Sequence, residues 1–86
     1  MVTVELYGVP RLRAGASLVE VPAGSLAEVL RALAAARPGL VPDIIHDGRV
    51  TEHALLALDG RDLVADPALP IADGSVLVLI SAQTGG

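Results

Sequence analysis

The chain has 86 residues, of which 52% are hydrophobic and 19% charged, and this balance predicts one folded domain rather than a disordered chain. The formal net charge is −4 and the six basic residues are scattered arginines, which excludes the clustered cations that a nucleic-acid partner requires. Cysteine and lysine are absent, so disulfides, thiol chemistry and Schiff-base chemistry are excluded on this chain.

The N-terminal residues predict a β-hairpin. Side chains over residues 2–7 alternate between apolar and polar, which is the pattern of a half-buried strand. A second strand is predicted over residues 17–21. The intervening residues include Gly8, Pro10 and Gly15, and they are predicted to form a turn region.

A helix is predicted to begin at Ser25. Ser25 and Glu28 have the spacing of a capping box, in which each side chain satisfies a free backbone N–H. Pro38 and Gly39 predict its end. The apolar residues between these signals recur at helical spacing: Leu26, Val29, Leu30 and Leu33.

The second half of the chain predicts strands separated by loops. The strands are expected over residues 54–58, 62–64 and 76–80. Asp59 and Gly60 are typical of the tight turn that would join the first two. The remaining segments are rich in turn residues and are predicted as loops, over residues 41–53 and 66–74.

This order of elements indicates an α+β fold. With one amphipathic helix, the economical arrangement is a mixed sheet that carries the helix across one face. We expect the N- and C-terminal strands to lie side by side at its centre. The prediction is a single domain over residues 1–80, followed by a flexible C-terminal tail over residues 81–86 that ends in Gly-Gly.

Gly85 and Gly86 are the strongest functional signal. They offer no side chain for packing, and ordering them costs more conformational entropy than ordering other residues. A slender tail without side chains suits a carboxylate that must enter the active site of another enzyme. The ionised α-carboxylate of Gly86 can attack the α-phosphate of ATP, and the resulting acyl-adenylate can accept sulfur.

Several segments, in their order and spacing, resemble the MoaD/ThiS family of ubiquitin-like sulfur carriers over nearly the whole chain. These segments are residues 2–7, 21–30, 56–60, 69–76 and 85–86. The resemblance is strongest to the MoaD branch, which comprises the small subunit of molybdopterin synthase and related carriers. It implies a β-grasp fold and a protein cosubstrate, not an enzyme, that is thiocarboxylated at Gly86 while Gly85 gives the tail its reach.

The resemblance also implies three kinds of partner. These are an adenylyltransferase of the ubiquitin-activating type, which uses ATP, a sulfurtransferase or other sulfur donor, and a downstream synthase such as the large subunit of molybdopterin synthase. The chain lacks a Walker or G-x-G-x-x-G pattern, so we expect it to bind neither ATP nor another cofactor. Departures from the family pattern at Asp59, Ser81 and Ala82 and over residues 41–53 leave the downstream pathway open.

The last predicted strand is apolar on both faces, although a sheet covered by one helix needs only one apolar face. By similarity to the family, Leu77 and Leu79 would point at the helix. The outward residues would then form a docking patch for partner enzymes, consisting of Tyr7, Leu63, Val78 and Ile80. The alternative is that this second face packs under a loop over residues 61–72.

Several alternatives stay open beside the molybdopterin pathway. One is a carrier for cysteine or other thio-metabolite synthesis, and others are a β-grasp binding module with an incidental Gly-Gly end or a ubiquitin-like modifier attached to lysines. His46 and His53 are predicted as solvated loop residues rather than metal ligands. The apolar runs are far too short to span a bilayer and no signal-peptide pattern is present, so we expect a cytoplasmic protein without a membrane partner.

Overall fold

The computed structural model describes residues 1–82, which form one mixed five-stranded sheet, two short strand pairs and two α-helices. No helix in this part of the chain is long and apolar enough to cross a membrane. The helices are α1 (Gly8–Ala14) and α2 (Leu26–Ala36). The strands are β1 (Val2–Leu6), β2 (Leu18–Val21), β3 (Gly24–Ser25), β4 (Ile45–His46), β5 (Arg49–Val50), β6 (Ala54–Leu58), β7 (Asp62–Leu63), β8 (Pro70–Ile71) and β9 (Val76–Ser81).

The main sheet has the strand order β2-β1-β9-β6-β7. Strands β1 and β9 run parallel, with Val4 beside Leu77, and the other neighbours in this sheet are antiparallel. The prediction that the first and last strands lie side by side is therefore confirmed. The C-terminal strand is the middle strand of the sheet and is held by a partner on each side.

Helix α2 covers one face of this sheet. The inward residues of β1 and β9 are completely buried, and the four apolar residues of α2 that the helical spacing predicted are at most 1% exposed. Leu77 and Leu79 are among the buried residues, whereas Val78 and Ile80 are only half-buried. The predicted assignment of the two faces of the last strand is thus confirmed.

The start of α2 has the predicted capping box. Ser25 Oγ accepts a hydrogen bond from the Glu28 N–H at 3.2 Å, and Glu28 Oε1 accepts one from the Ser25 N–H at 2.9 Å. Hydrogen bonding of the Glu28 carboxylate to Ser25, chiefly to its backbone N–H, lowers the pKa of Glu28 below its ordinary value of 4.5. The cap fixes where the chain turns from β3 into the helix that covers the sheet.

Helix α1 occupies the segment that the sequence predicts as a turn. Pro10 lies in its first turn, where a missing backbone N–H costs no hydrogen bond, and both Pro10 and Ala14 are buried. Gly15 ends the helix with a left-handed φ of 70°, and its N–H donates to Arg11 O at 2.9 Å. The residues that predicted a turn therefore mark the two ends of a helix.

The two predicted loops contain short strands. Strands β4 and β5 pair across a turn at Asp47 and Gly48, both of which have positive φ, while Ile44 and Ile45 are buried. Strand β8 pairs with β3, just before α2. A strand of two residues shows too little alternation to be recognised from the sequence.

Candidate functional site at the end of the central strand and the open sheet face

Gly86, the predicted reacting residue, and Gly85, which gives the tail its reach, lie outside the described residues. The structure describes the chain that leads to them, namely the middle strand β9 and the residue after it, Ala82. Ser81 and Ala82 were predicted to belong to the tail, but both are bound to the fold. The sheet therefore continues past residue 80, and the rest of the predicted tail lies outside the described residues.

The end of β9 is held from both sides. Ser81 Oγ accepts a hydrogen bond from the Val9 N–H at 2.9 Å, in the first turn of α1. On the other side, the Ala82 N–H donates to His53 O at 3.0 Å. No side chain of α1 itself caps the helix, so Ser81 supplies the capping oxygen from the far end of the chain.

Gly8 makes this contact possible. Its φ is 63°, which strains any residue with a Cβ, and a Cβ at this position would lie 2.7 Å from Ser81 Oγ, so the capping hydroxyl would have to move. In the sequence Gly8 indicated only a turn and Ser81 only a departure from the family pattern. Their partnership could not be inferred, because the two residues are far apart in the chain.

Replacing Ser81 by Ala should destabilise the protein by about 1 kcal/mol, because the Val9 N–H loses its acceptor. Ser81→Thr keeps a hydroxyl group at the position and should retain most of the stability. The measurements are thermal unfolding and hydrogen exchange of the Val9 amide. Unchanged stability and exchange in Ser81→Ala would show that the hydroxyl does not cap α1 in solution.

The face of the sheet opposite α2, here called the open face, carries rows of outward residues that run across the strands, two of them near the end of β9. In the first row, Val78 pairs with Glu5 on β1 and with Ala57 on β6. Ala57 in turn pairs with Leu63, and Glu5 pairs with Leu18 on the edge strand β2. This row therefore crosses all five strands.

The second row lies closer to the end of β9. Ile80 pairs with Leu55 on β6, and Tyr7 follows β1 on the other side of β9, where its N–H donates to Leu79 O at 3.0 Å. Tyr7 is 49% exposed and Leu63 of the first row is 69% exposed. The four predicted patch residues are thus brought to one face, next to the point where β9 ends.

Two exposed members of this face were missed in the sequence, Leu18 and Leu55. Alternation within β6 contained the signal for Leu55, because Leu56 is buried and its neighbour must point the other way. Leu18 could not be placed without the register between β1 and β2.

The alternative arrangement, in which a loop over residues 61–72 covers this face, is wrong. The Leu26 N–H donates to Leu69 O at 2.8 Å, and the Ala27 N–H donates to Pro67 O at 3.0 Å. These hydrogen bonds hold the segment against the start of α2, on the covered side of the sheet. The open face is therefore left to solvent in the described chain.

One carboxylate of the open face is fixed in place. The Tyr7 hydroxyl donates to Glu5 Oε1 at 2.8 Å. This hydrogen bond, together with the negative charge of Glu5, raises the pKa of Tyr7. Tyr7 therefore stays a neutral donor at physiological pH, and it holds the Glu5 carboxylate beside Val78.

The two loop histidines line one open pocket beside Asp43 and Glu52. His46 and His53 are both exposed. Within residues 1–82, no group of three histidine, aspartate or glutamate side chains is placed to hold a metal ion. Arg13 and Asp43 line a pocket together with Ser81 and Ala82, and they form an ion pair at 2.8 Å in which both side chains are half-exposed.

A mixed sheet with adjacent parallel terminal strands and a helix across one face places the molecule in the β-grasp class of ubiquitin-like folds. SAMP1 from Haloferax volcanii, also described as small archaeal modifier protein 1, superposes with a TM-score of 0.80 at 24% identity, covering 99% of this chain and 98% of that one. A chain of the Amycolatopsis orientalis BexX/CysO complex gives a TM-score of 0.79 at 16% identity, with both chains covered completely.

A third similar structure comes from the complex of subunits 1 and 2 of the molybdopterin-converting factor of Helicobacter pylori. Its TM-score is 0.66 at 24% identity, and the match covers 99% of this chain and 97% of that chain. No protein-family model matches the chain, and no curated protein matches it significantly. The resemblance predicted from the sequence is therefore confirmed at the level of the fold.

Proposed function

We propose that this protein is a sulfur carrier that is adenylated and then thiocarboxylated at Gly86. The observation that carries the proposal is the position of β9, the middle strand of a β-grasp sheet, whose chain continues within four residues into Gly85-Gly86. Two of the similar structures are described as complexes with a second protein, which supports a carrier that works by docking.

The chemistry takes place at the terminal carboxyl group. The Gly86 carboxylate attacks the α-phosphate of ATP on the activating enzyme, pyrophosphate leaves, and an acyl-adenylate forms. Hydrosulfide from the donor then attacks the acyl carbon and AMP leaves, so that a thiocarboxylate remains. With a persulfide donor the product is an acyl disulfide, and a second thiol cleaves its S–S bond to release the thiocarboxylate. Because the chain contains no cysteine, the transferred sulfur is held on Gly86 itself and not on a thiol of the carrier.

The open face serves as the docking surface in this proposal, with Tyr7, Leu63, Val78 and Ile80 at its centre. The favoured downstream partner is the large subunit of molybdopterin synthase. The fold likeness to a chain from the Helicobacter pylori molybdopterin-converting factor supports this choice. A carrier for cysteine or another thio-metabolite uses the same activation chemistry and differs in the synthase that accepts the sulfur.

The test is to incubate the protein with ATP, the activating enzyme of the source organism and a sulfur donor. Intact-mass measurement should show one oxygen exchanged for sulfur, and peptide mapping should locate the exchange in the last peptide. Omission of ATP is the control and should leave the mass unchanged. A chain that never gains sulfur with these enzymes contradicts the proposal.

A second candidate function is that of a ubiquitin-like modifier, favoured by the likeness to a protein named a small archaeal modifier. A modifier forms isopeptide bonds with lysines of target proteins, whereas a carrier releases a free thiocarboxylate. Mass spectrometry of trypsin-digested cell extracts, for lysines that carry residues 62–86 of this chain, separates the two functions.

A further inference from the structure

We infer that the open face binds a partner protein whose apolar surface carries basic side chains opposite Glu5 and Glu20. This inference rests on the proposed function and adds to it the chemistry of the docking partner. It is carried by the distribution of charge over the outward positions of the sheet.

The open face has an apolar part and an acidic border. Over β9, β6 and β7 its outward residues are all apolar: Leu55, Ala57, Leu63, Val76, Val78 and Ile80. Over β1 and β2 the outward positions include Glu5 and Glu20, and Glu20 pairs with Thr3, the outward neighbour of Glu5 along β1. Among the described strand positions that point to the open face, Glu5 and Glu20 are the charged ones.

A surface that covers the two carboxylates must either pair them with positive groups or leave them protonated, at a cost in binding energy. Glu5 is half-buried, accepts a hydrogen bond from the Tyr7 hydroxyl and is flanked by Val78, so its carboxylate is directed at a surface docked on this face. A carboxylate that loses water without gaining a cation or donors is strongly disfavoured. The occupant therefore has to supply positive groups along one side of an apolar contact.

This requirement argues against the other occupants of such a face. A second copy of the chain would bring like charges together or press the glutamates against apolar residues, and each copy carries a net charge of −4. Anionic lipid headgroups and nucleic-acid phosphates would be repelled by the same carboxylates. An apolar protein surface bordered by arginine or lysine satisfies both parts of the face.

The test measures association of the chain with the activating enzyme of the source organism, by biolayer interferometry at low and high salt. The double variant Glu5→Gln/Glu20→Gln keeps the shape of the face and an acceptor for Tyr7. The control is Asp47→Asn/Asp66→Asn, which removes the same charge from exposed residues outside the main sheet.

We expect the glutamate variant to associate roughly tenfold more slowly at low salt, with little difference at high salt, and the control to change by less than about twofold. Equal slowing in both variants would mean that net charge alone acts, and unchanged rates would mean that no cations face the glutamates. Either result overturns the inference.

Sedimentation of the wild-type chain supplies a second measurement. A dimer that Leu55→Asp dissociates would assign the open face to a second copy and also overturn the inference. A wild-type chain that the enzyme does not adenylate would overturn the proposed function itself. If the wild-type chain is adenylated but the glutamate variant and the control variant associate at the same rate, only the inference about charge is overturned.

Discussion

Removal of Gly85 and Gly86 should abolish adenylation completely while leaving the thermal unfolding of the protein almost unchanged. The reacting carboxylate would then end on a shorter chain with a bulkier terminal residue, Thr84, and would no longer reach the α-phosphate of ATP. Every residue of the described apolar core lies between Val2 and Leu79, so the deletion removes none of them. Pyrophosphate release and a calorimetric melt measure the two effects.

The matched control for this deletion is Gln83→Ala, which changes the same segment but keeps the Gly-Gly end. It should be adenylated at a rate close to that of the wild type. A large fall in melting temperature on deletion would mean that the two glycines pack against the domain. Adenylation that persists without them would place the reacting group elsewhere.

Replacing Leu79 by Ala should destabilise the fold by about 2–5 kcal/mol, because a buried side chain is lost and a cavity remains. Leu79 is completely buried between Leu6 on β1 and Leu56 on β6. Such a loss is a large part of the total stability of a small domain, which is typically about 5–15 kcal/mol. Chemical unfolding measures it directly.

Ile80→Asp, one residue further along β9, should have the opposite kind of effect. Ile80 is half-buried on the open face beside Leu55, so the isolated fold should lose little stability. Affinity for the activating enzyme should fall by about 2 kcal/mol or more, on the order of 30-fold, because a charge enters an apolar contact surface. A binding titration and a melt on both variants are the measurements.

The pair of variants tests the docking surface as well as the register. If Ile80→Asp binds the enzyme as tightly as the wild type, the open face is not where that enzyme docks. If Ile80→Asp unfolds the protein while Leu79→Ala does not, the inward and outward faces of β9 are exchanged. Val78→Asp, on the same side as Ile80, should repeat its effect on binding.

The sequence predicted the parts of the fold that local periodicity controls. Alternation predicted β1, the family resemblance assigned the two faces of β9, and the capping box of Ser25 and Glu28 located the start of α2. Helix α1 was missed because its stability depends on contacts distant in sequence, namely the burial of Pro10 and the hydroxyl of Ser81. A local pattern contains no information about such contacts.

The docking surface was predicted only in part for a similar reason. Tyr7, Val78 and Ile80 followed from alternation combined with the family resemblance. The placement of Leu18 and Glu20 on the open face follows from the register between β1 and β2, which the sequence of each strand alone does not specify. The acidic border of the open face therefore became visible only when the strands were paired.

The two hydrogen bonds that hold Ser81 and Ala82 also set a length. Four residues lead from Ala82 to Gly86, and an extended chain spans at most about 3.6 Å per residue, so Gly86 can lie at most roughly 14 Å from Ala82. In the proposed carrier, an activator and a synthase that dock on the same face must both hold their reaction centres within that distance. Unrelated partner enzymes would thus share one upper limit on the spacing between docking surface and catalytic pocket, imposed by the protein that visits them both.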